Sequence, residues 1–481
     1  MTAGVASDTP APQTSLGRFA RTAIVVGSAL AVWLLPTPEG IAPASWRLLA
    51  IFVGTVVGLI ARPAPVGAVV LTGVTAAALT GALTPARALA GYADPTVWMV
   101  FCAFQIAGGM IKTGLGRRLA LGFIRVMGRT SLGLAYALVA TDALLGMVVP
   151  SVSARSGGIL FPIARSLSET LGSTPGATAP RLGSFLLPVV YHCDVIVCAM
   201  FLTGQASNPL IASFARQSAG IDLSYATWAL GAVVPGVIAL AVTPLVVYYS
   251  SPPELTRTPA AAEFAAAELA RLGPMTRPER LMLAVFALIT LLWSTTALHG
   301  IEYALVALVA VVALLMTGVL EWQDVLADKT AWDVFIWYGG IYQLARALAE
   351  SGVTELFAQG VAGLIDGLPW IAALGLLLLI YFYAHYGFAS ITAHASAMFM
   401  PFLAVLIAAG APSMVAVLVL AYLTNLTASL THYGTTSTPI YYGAGYLTQA
   451  NWWRVGFLVS LPNIVIWTLV GMAWWKILGW W

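Results

Sequence analysis

Long apolar stretches alternate with short polar ones along almost the whole chain. Apolar spans of helical length run at 22–35, 46–61, 65–83, 95–114, 182–217, 224–249, 281–297, 301–319, 331–349, 412–429 continuing past 434, and 455–475. About 20 apolar residues in a helix cross the hydrocarbon core of a bilayer. Two further stretches, 131–168 and 369–410, are too long for one crossing and too short for two. Each is broken near its middle, by "PSVSARSGG" (150–158) and by "YGFASITAHAS" (386–396). Bare backbone N–H and C=O groups cannot face lipid, so such breaks are tolerated only where they line a cavity. A re-entrant hairpin fits both lengths. The stretch "GRRLALGFIRVMGR" (116–129) reads as an amphipathic interfacial helix, and "WWKILGWW" (474–481) as an aromatic and basic interfacial anchor.

Composition turns this pattern into a class. The chain has 481 residues, 60% hydrophobic and 9% charged, where a soluble domain carries roughly 25% charged residues. The expected fold is therefore an all-α polytopic membrane protein, with about eleven transmembrane helices and two re-entrant hairpins. Lys and Arg positions set its orientation. With alternating spans, Arg18, Arg62, Arg117, Arg125, Arg277 and most other basic residues fall on one side, while Arg47, Arg87, Arg216 and Lys476 fall opposite. That asymmetry predicts a cytoplasmic N-terminus and an external C-terminus. Residues 1–17 are polar and lack both the basic region and the apolar core of a cleaved signal, so a short disordered cytoplasmic tail is expected. The three cysteines, Cys102, Cys193 and Cys198, lie in apolar segments without metal-ligand spacing and read as buried hydrophobes. An Ala/Gly/Val-rich composition points to a bacterial inner membrane.

The two halves echo one another. "WMVF" (98–101) answers "WDVF" (332–335), "TGL" (113–115) answers "SGV" (351–353), and hairpin answers hairpin. "GQASNPL" (204–210) answers "GTTSTPI" (434–440), sharing Gly-x-x-Ser-x-Pro-aliphatic. An odd number of crossings between the copies would make them an inverted repeat. Interrupted helices at matching places of an inverted repeat point to a transporter binding site.

Four helices restart after the breaks, near Ala154, Pro209, His394 and Pro439. A helix start presents free N–H groups and about half a positive charge, and four starts converging at mid-membrane make an anion site. Ser151, Ser153, Ser207, Asn208, Thr392, Thr436, Ser437 and Thr438 can cap these ends or donate to a ligand. A small organic carboxylate is the expected ligand. No metal, cofactor or nucleic acid is implied. A membrane-embedded enzyme would need a nucleophile–base pair or a metal cluster; five histidines and few intramembrane acids offer neither.

Along nearly its whole length the chain resembles the divalent-anion/sodium symporter family, in its dicarboxylate and tricarboxylate exchanger branch. The likeness is carried by "FLTGQASNPLIASFA" (201–215), "ITAHASAMFMPFLAV" (391–405) and "LTHYGTTSTPIYYGAGYLTQANWWRVGF" (430–457). The resemblance implies a homodimer whose scaffold carries a mobile transport domain, moving as an elevator. Scaffold helices would occupy 18–130 and 281–350, transport-domain halves 131–250 and 351–481, and a cytoplasmic linker 251–280. It also implies a Ser-Asn-Thr signature at each hairpin tip, with sodium sites in the coupled members. Here the tips read Ser151-Val152-Ser153 and Thr392-Ala393-His394. Both asparagines are missing, while Arg155 and His394 appear nearby.

A mid-membrane arginine costs about 2.5–3.5 kcal/mol on the mildest scale and persists only where something balances it. Arg155 is expected to face the dianionic substrate, with His394 a second, protonatable contact. An unpaired fixed charge would forbid return of the empty domain, which predicts obligate, sodium-independent exchange; a sodium- or proton-coupled symporter is the alternative. Arg155 could instead pair with orphan carbonyls of the hairpin's first arm, and His192 with Asp194 as a local polar pair.

Overall fold

The computed structural model describes residues 15–353 and 369–481. Most of the expected tail, residues 1–14, lies outside the described residues, and residues 15–17 open the first helix. The described chain is helical, and its one β-type contact is an isolated bridge between Thr130 and Arg257.

The principal helices, leaving short turns unnumbered, are α1 (Ser15–Trp33), α2 (Pro43–Ala61), α3 (Val66–Leu79), α4 (Pro95–Thr113), α5 (Leu115–Met127), α6 (Ser131–Gly146), α7 (Phe161–Thr170), α8 (Gly183–Met200), α9 (Asn208–Ala219) and α10 (Tyr225–Ser250). They continue as α11 (Pro259–Leu272), α12 (Arg277–Ser294), α13 (Tyr303–Met316), α14 (Lys329–Ala349), α15 (Trp370–Tyr383), α16 (Ile391–Ala408), α17 (Ser413–Leu426), α18 (Thr438–Gly443) and α19 (Gln449–Val465). Among the described residues, eight helical stretches are long and apolar enough to cross a membrane, two of them the arms of the second hairpin. The helices α3, α6 and α13 are apolar but shorter. This differs from eleven uniform spans because several expected crossings end early or carry too many charges.

Proline and small polar residues set the helix starts. Pro43, Pro95, Pro209, Pro259 and Pro439 sit in first turns, where a missing N–H costs nothing and φ is preset. Asp94 accepts from Thr96 N to cap α4, and Thr276 with Glu279 forms a reciprocal capping box on α12.

Among the described residues, each half carries a hairpin followed by an interrupted helix. α4 and α5 lead into a hairpin of α6 and, through a wide π-type stretch at Ser153–Leu160, α7. A helix interrupted between α8 and α9 follows. In the second half α14 precedes a hairpin of α15 and α16, then a helix interrupted between α17 and α18. The innermost elements are α8 and α17, whose residues are almost all buried. Other helices keep apolar side chains outward, such as Leu79, Leu291, Val312 and Leu469, as a lipid-facing surface requires.

The stretch expected as an interfacial helix is α5, and the region expected as a plain linker contains α11, packed along it. Arg117 pairs with Glu268 of α11 at 2.6 Å, and Arg118 with Glu279 at 2.7 Å. The extended linker before α11 is tied to the base of the first hairpin: Thr258 N donates to Arg129 O and Leu255 N to Arg181 O, at 2.9 and 3.0 Å.

Candidate functional site

Helix starts lie where the sequence places them, at Ser153, Asn208, Ile391 and Thr438. At both broken helices the turn needs glycine because backbone crowds it. A Cβ on Gly204 would stand 2.8 Å from Val197 O, and one on Gly434 2.6 Å from Ala428 O. This explains the first position of the shared Gly-x-x-Ser-x-Pro pattern.

Each hairpin meets the broken helix of the other half through a pair of hydroxyls. Ser153 Oγ donates to Thr436 Oγ1 at 2.8 Å, and Ser207 Oγ lies 2.5 Å from Thr392 Oγ1. Thr436 is exposed, while Ser153 and Thr392 are half-buried. Ser151, nearly buried, accepts from Ala154 N and so caps the restart at the first tip. Ser437 is buried and its Oγ has no partner among the described residues.

Other residues expected at the site hold the breaks together from behind. Both amide hydrogens of Asn208 go to backbone, Cys198 O at 2.7 Å and Phe201 O at 2.9 Å. These are end carbonyls of α8 and the turn after it, which have no helical partner. Asn208 Oδ1 accepts from Asn425 Nδ2. Thr438 Oγ1 accepts from Thr435 N and meets Tyr191 OH at 2.8 Å, and Tyr191 OH also donates to Ala428 O.

Arg155 does not stand where the charge argument needs it. Its guanidinium is fully buried. Nε donates to Asp142 Oδ1 and Nη2 to Asp194 Oδ1, both at 2.6 Å. Nη1 donates to Val149 O at 2.8 Å and Gly204 O at 2.9 Å, and Nη2 reaches Cys198 Sγ at 3.3 Å. A guanidinium has five N–H groups, and all five are engaged. The expectation of an uncompensated arginine facing substrate is thus corrected. The charge is balanced by two carboxylates, and the carbonyls it ties down belong to the first tip and the first break. Asp194 is likewise claimed by Arg155, while His192 packs against Tyr191 and Trp452. Asp142 had a signal in the sequence, as the only acid within the apolar stretch 131–148; an intramembrane acid is a functional suspect by default.

His394 is also fully buried, in the first turn of α16. Its Nδ1 is 3.2 Å from Nδ1 of His385, whose Nε2 is 3.1 Å from Gly434 O. A carbonyl only accepts, so His385 carries its proton on Nε2. With both rings neutral, His385 Nδ1 accepts from His394 Nδ1–H, which leaves His394 Nε2 bare. That atom has no partner among the described residues. Tyr381 stands edge-on to the His394 ring, 4.5 Å between centroids, and its hydroxyl lies 2.6 Å from Thr424 Oγ1. In each half, then, a basic side chain of the protein reaches the carbonyl of the break glycine: Arg155 at Gly204, His385 at Gly434.

The family model described as the sodium:sulfate symporter transmembrane region matches residues 16–481. The chain belongs to the divalent-anion/sodium symporter family. It is 42% identical to a Bacillus subtilis protein named "Putative malate transporter YflS", over 99% of this chain and all of that one. It is 44% identical to chloroplastic dicarboxylate transporter 1 of Arabidopsis thaliana, over 95% of this chain and 82% of that protein. The crystal structure of the YdaH transporter of Alcanivorax borkumensis superposes with a TM-score of 0.54 over 97% of this chain and 98% of that one, at 13% identity, which supports the shared fold alone. The protein is accordingly a multi-pass membrane transporter of this family. Within the family's tip signature it departs at both asparagines: Val152 is buried and apolar at the first tip, and Ala393 is buried at the second.

Proposed function

We propose that the protein exchanges C4–C6 di- or tricarboxylates such as malate, succinate, 2-oxoglutarate, tartrate or citrate across a bacterial inner membrane, as a sodium-independent obligate antiporter. The relatives named as malate and dicarboxylate transporters support the substrate class. Homodimeric assembly, elevator movement of residues 131–250 and 351–481, and a cytoplasmic N-terminus with an external C-terminus belong to the same proposal.

The observation that carries sodium independence is the occupation of both break carbonyls by built-in donors. Gly204 O accepts from Arg155 and Gly434 O from His385. A sodium at these oxygens would share each with a donor already in place, the cationic guanidinium at Gly204 O and an imidazole N–H at Gly434 O, which disfavours a cation there. The reason for exchange changes with the geometry. Arg155 is compensated, so its charge does not hold back an empty domain. What is left uncompensated without substrate is the set of helix starts at Ser153, Asn208, Ile391 and Thr438, with their partial positive charges. With no mobile cation to bind and leave, the carboxylate is the species that completes the site, and return needs a counter-carboxylate. The proposed contacts are Ser151, Ser153, Ser207, Thr392, Thr436 and Ser437, with Asn208, Thr438, Arg155 and His394 fixing the backbone behind them.

Proteoliposomes test this. Uptake of labelled malate without sodium is expected only into vesicles preloaded with a dicarboxylate. Uptake into empty vesicles driven by a sodium or proton gradient would instead establish the symporter reading.

A further inference from the structure

The cluster around Arg155 contains one cation and two acids. Asp142 and Asp194 are both buried, at 1% and 0% exposure. Each offers Oδ1 to the guanidinium, and neither Oδ2 has a partner among the described residues. Both carboxyl groups accept from the same guanidinium, through Nε and Nη2 at 2.6 Å each, so they stand beside each other around one cation. If both were ionised the cluster would hold a net charge of −1 with no second cation in ion-pair contact among the described residues. An isolated ionised carboxylate taken out of water costs far more than a neutral carboxyl group, and two carboxylates sharing one site do not both ionise easily.

We propose that Asp142 and Asp194 bind one proton between them, so that the Arg155 cluster is a resident proton-binding site of zero net charge. The proton comes from solvent as the site folds and forms an O–H bond on one Oδ2, which donates to the other carboxyl. Both orphan oxygens then have a partner, one as donor and one as acceptor. The proton belongs to the pair rather than to either residue.

The other titratable groups around it do not supply this charge. Cys193, Cys198, Tyr191 and His192 lie on α8 beside Asp194, and Tyr441 on α18 is bonded to Ser156 at 2.9 Å. Cys198 already accepts from the arginine. Tyr191 donates to Ala428 O, and the His192 Nδ1 has no partner, so no carboxylate holds it as a cation. The site has a structural consequence: Arg155 ties Val149 O of the tip to Gly204 O of the break, so neutrality of the cluster sets the geometry of both. This inference is independent of the direction or coupling of transport.

Infrared spectroscopy of the purified protein reads the proton directly. At neutral pH we expect a carboxylic-acid C=O stretch that moves on 13C labelling of aspartate side chains, a measurement that needs no variant. The band is expected to vanish in Asp142→Asn and in Asp194→Asn, since either leaves one carboxylate paired with one arginine, and to persist in Glu263→Gln on the exposed face of α11. Absence of any aspartate-labelled acid band in the wild type would overturn the proposal, as would a band that survives in both Asp variants.

Discussion

Asn425 Nδ2 lies 2.8 Å from Asn208 Oδ1, and this contact joins the two broken helices to each other. Asn208 spends its two donors on carbonyls that α8 cannot satisfy itself, and its acceptor on the other half. Leaving a buried polar group unpaired costs about 1–3 kcal/mol. Asn208→Ala is therefore expected to destabilise by roughly 2–4 kcal/mol, several such groups being orphaned at once. A lowered thermal unfolding midpoint in detergent, present with and without dicarboxylate, would bear this out. An unchanged midpoint with weakened malate binding would assign Asn208 to the ligand instead.

Arg155→Ala should be a folding defect before it is a transport defect. Removing one member of a buried ion cluster costs about 3–5 kcal/mol, because the partners stay buried and unpaired. Arg155→Lys should fare little better, since three donors cannot serve five acceptors. The triple replacement Arg155→Met, Asp142→Asn, Asp194→Asn removes every charge and should recover most of the lost stability. Size-exclusion profiles and unfolding midpoints of the three proteins decide the point.

The hydroxyl pairs should behave in the opposite way. Ser153 and Thr436 lie toward the open side of the site, and a hydrogen bond there contributes about 0.5–1.5 kcal/mol. Ser153→Ala and Thr436→Ala should raise the KM for dicarboxylate transport about 2- to 12-fold, with unfolding midpoints near wild type. Ser207→Ala and Thr392→Ala test the second pair in the same assay. Full-rate transport at wild-type KM in all four variants would remove the hydroxyls from substrate contact.

Acid should loosen the elbow between α5 and α12. Burial alone would raise the Glu279 carboxyl, but hydrogen bonds from the Arg118 guanidinium and from Thr276 outweigh it and hold the pKa below the ordinary value. A depressed folded-state pKa adds stability above the unfolded value, about 4.3, and that stability is lost as pH falls through the folded value. Glu279→Gln should lower the unfolding midpoint at pH 7 and flatten its decline below about pH 4.3, as read by thermal melts across a pH series.

What the sequence by itself determined about this protein is the part that rests on local or one-dimensional physics. Apolar length excludes water as the solvent for most of the chain, backbone breaks locate the two hairpins and two interrupted helices, and Gly204, Pro209, Gly434 and Pro439 mark the turns by crowding and by fixed φ. The tertiary structure alone decided partnership. Asp142 and Asp194 are 13 and 39 positions from Arg155, on helices whose facing sides depend on how α6, α8 and the first tip pack. The charge of a buried group is set by what surrounds it in three dimensions. A lone arginine in a greasy stretch thus reads as a waiting charge until the fold brings two carboxyl groups onto it.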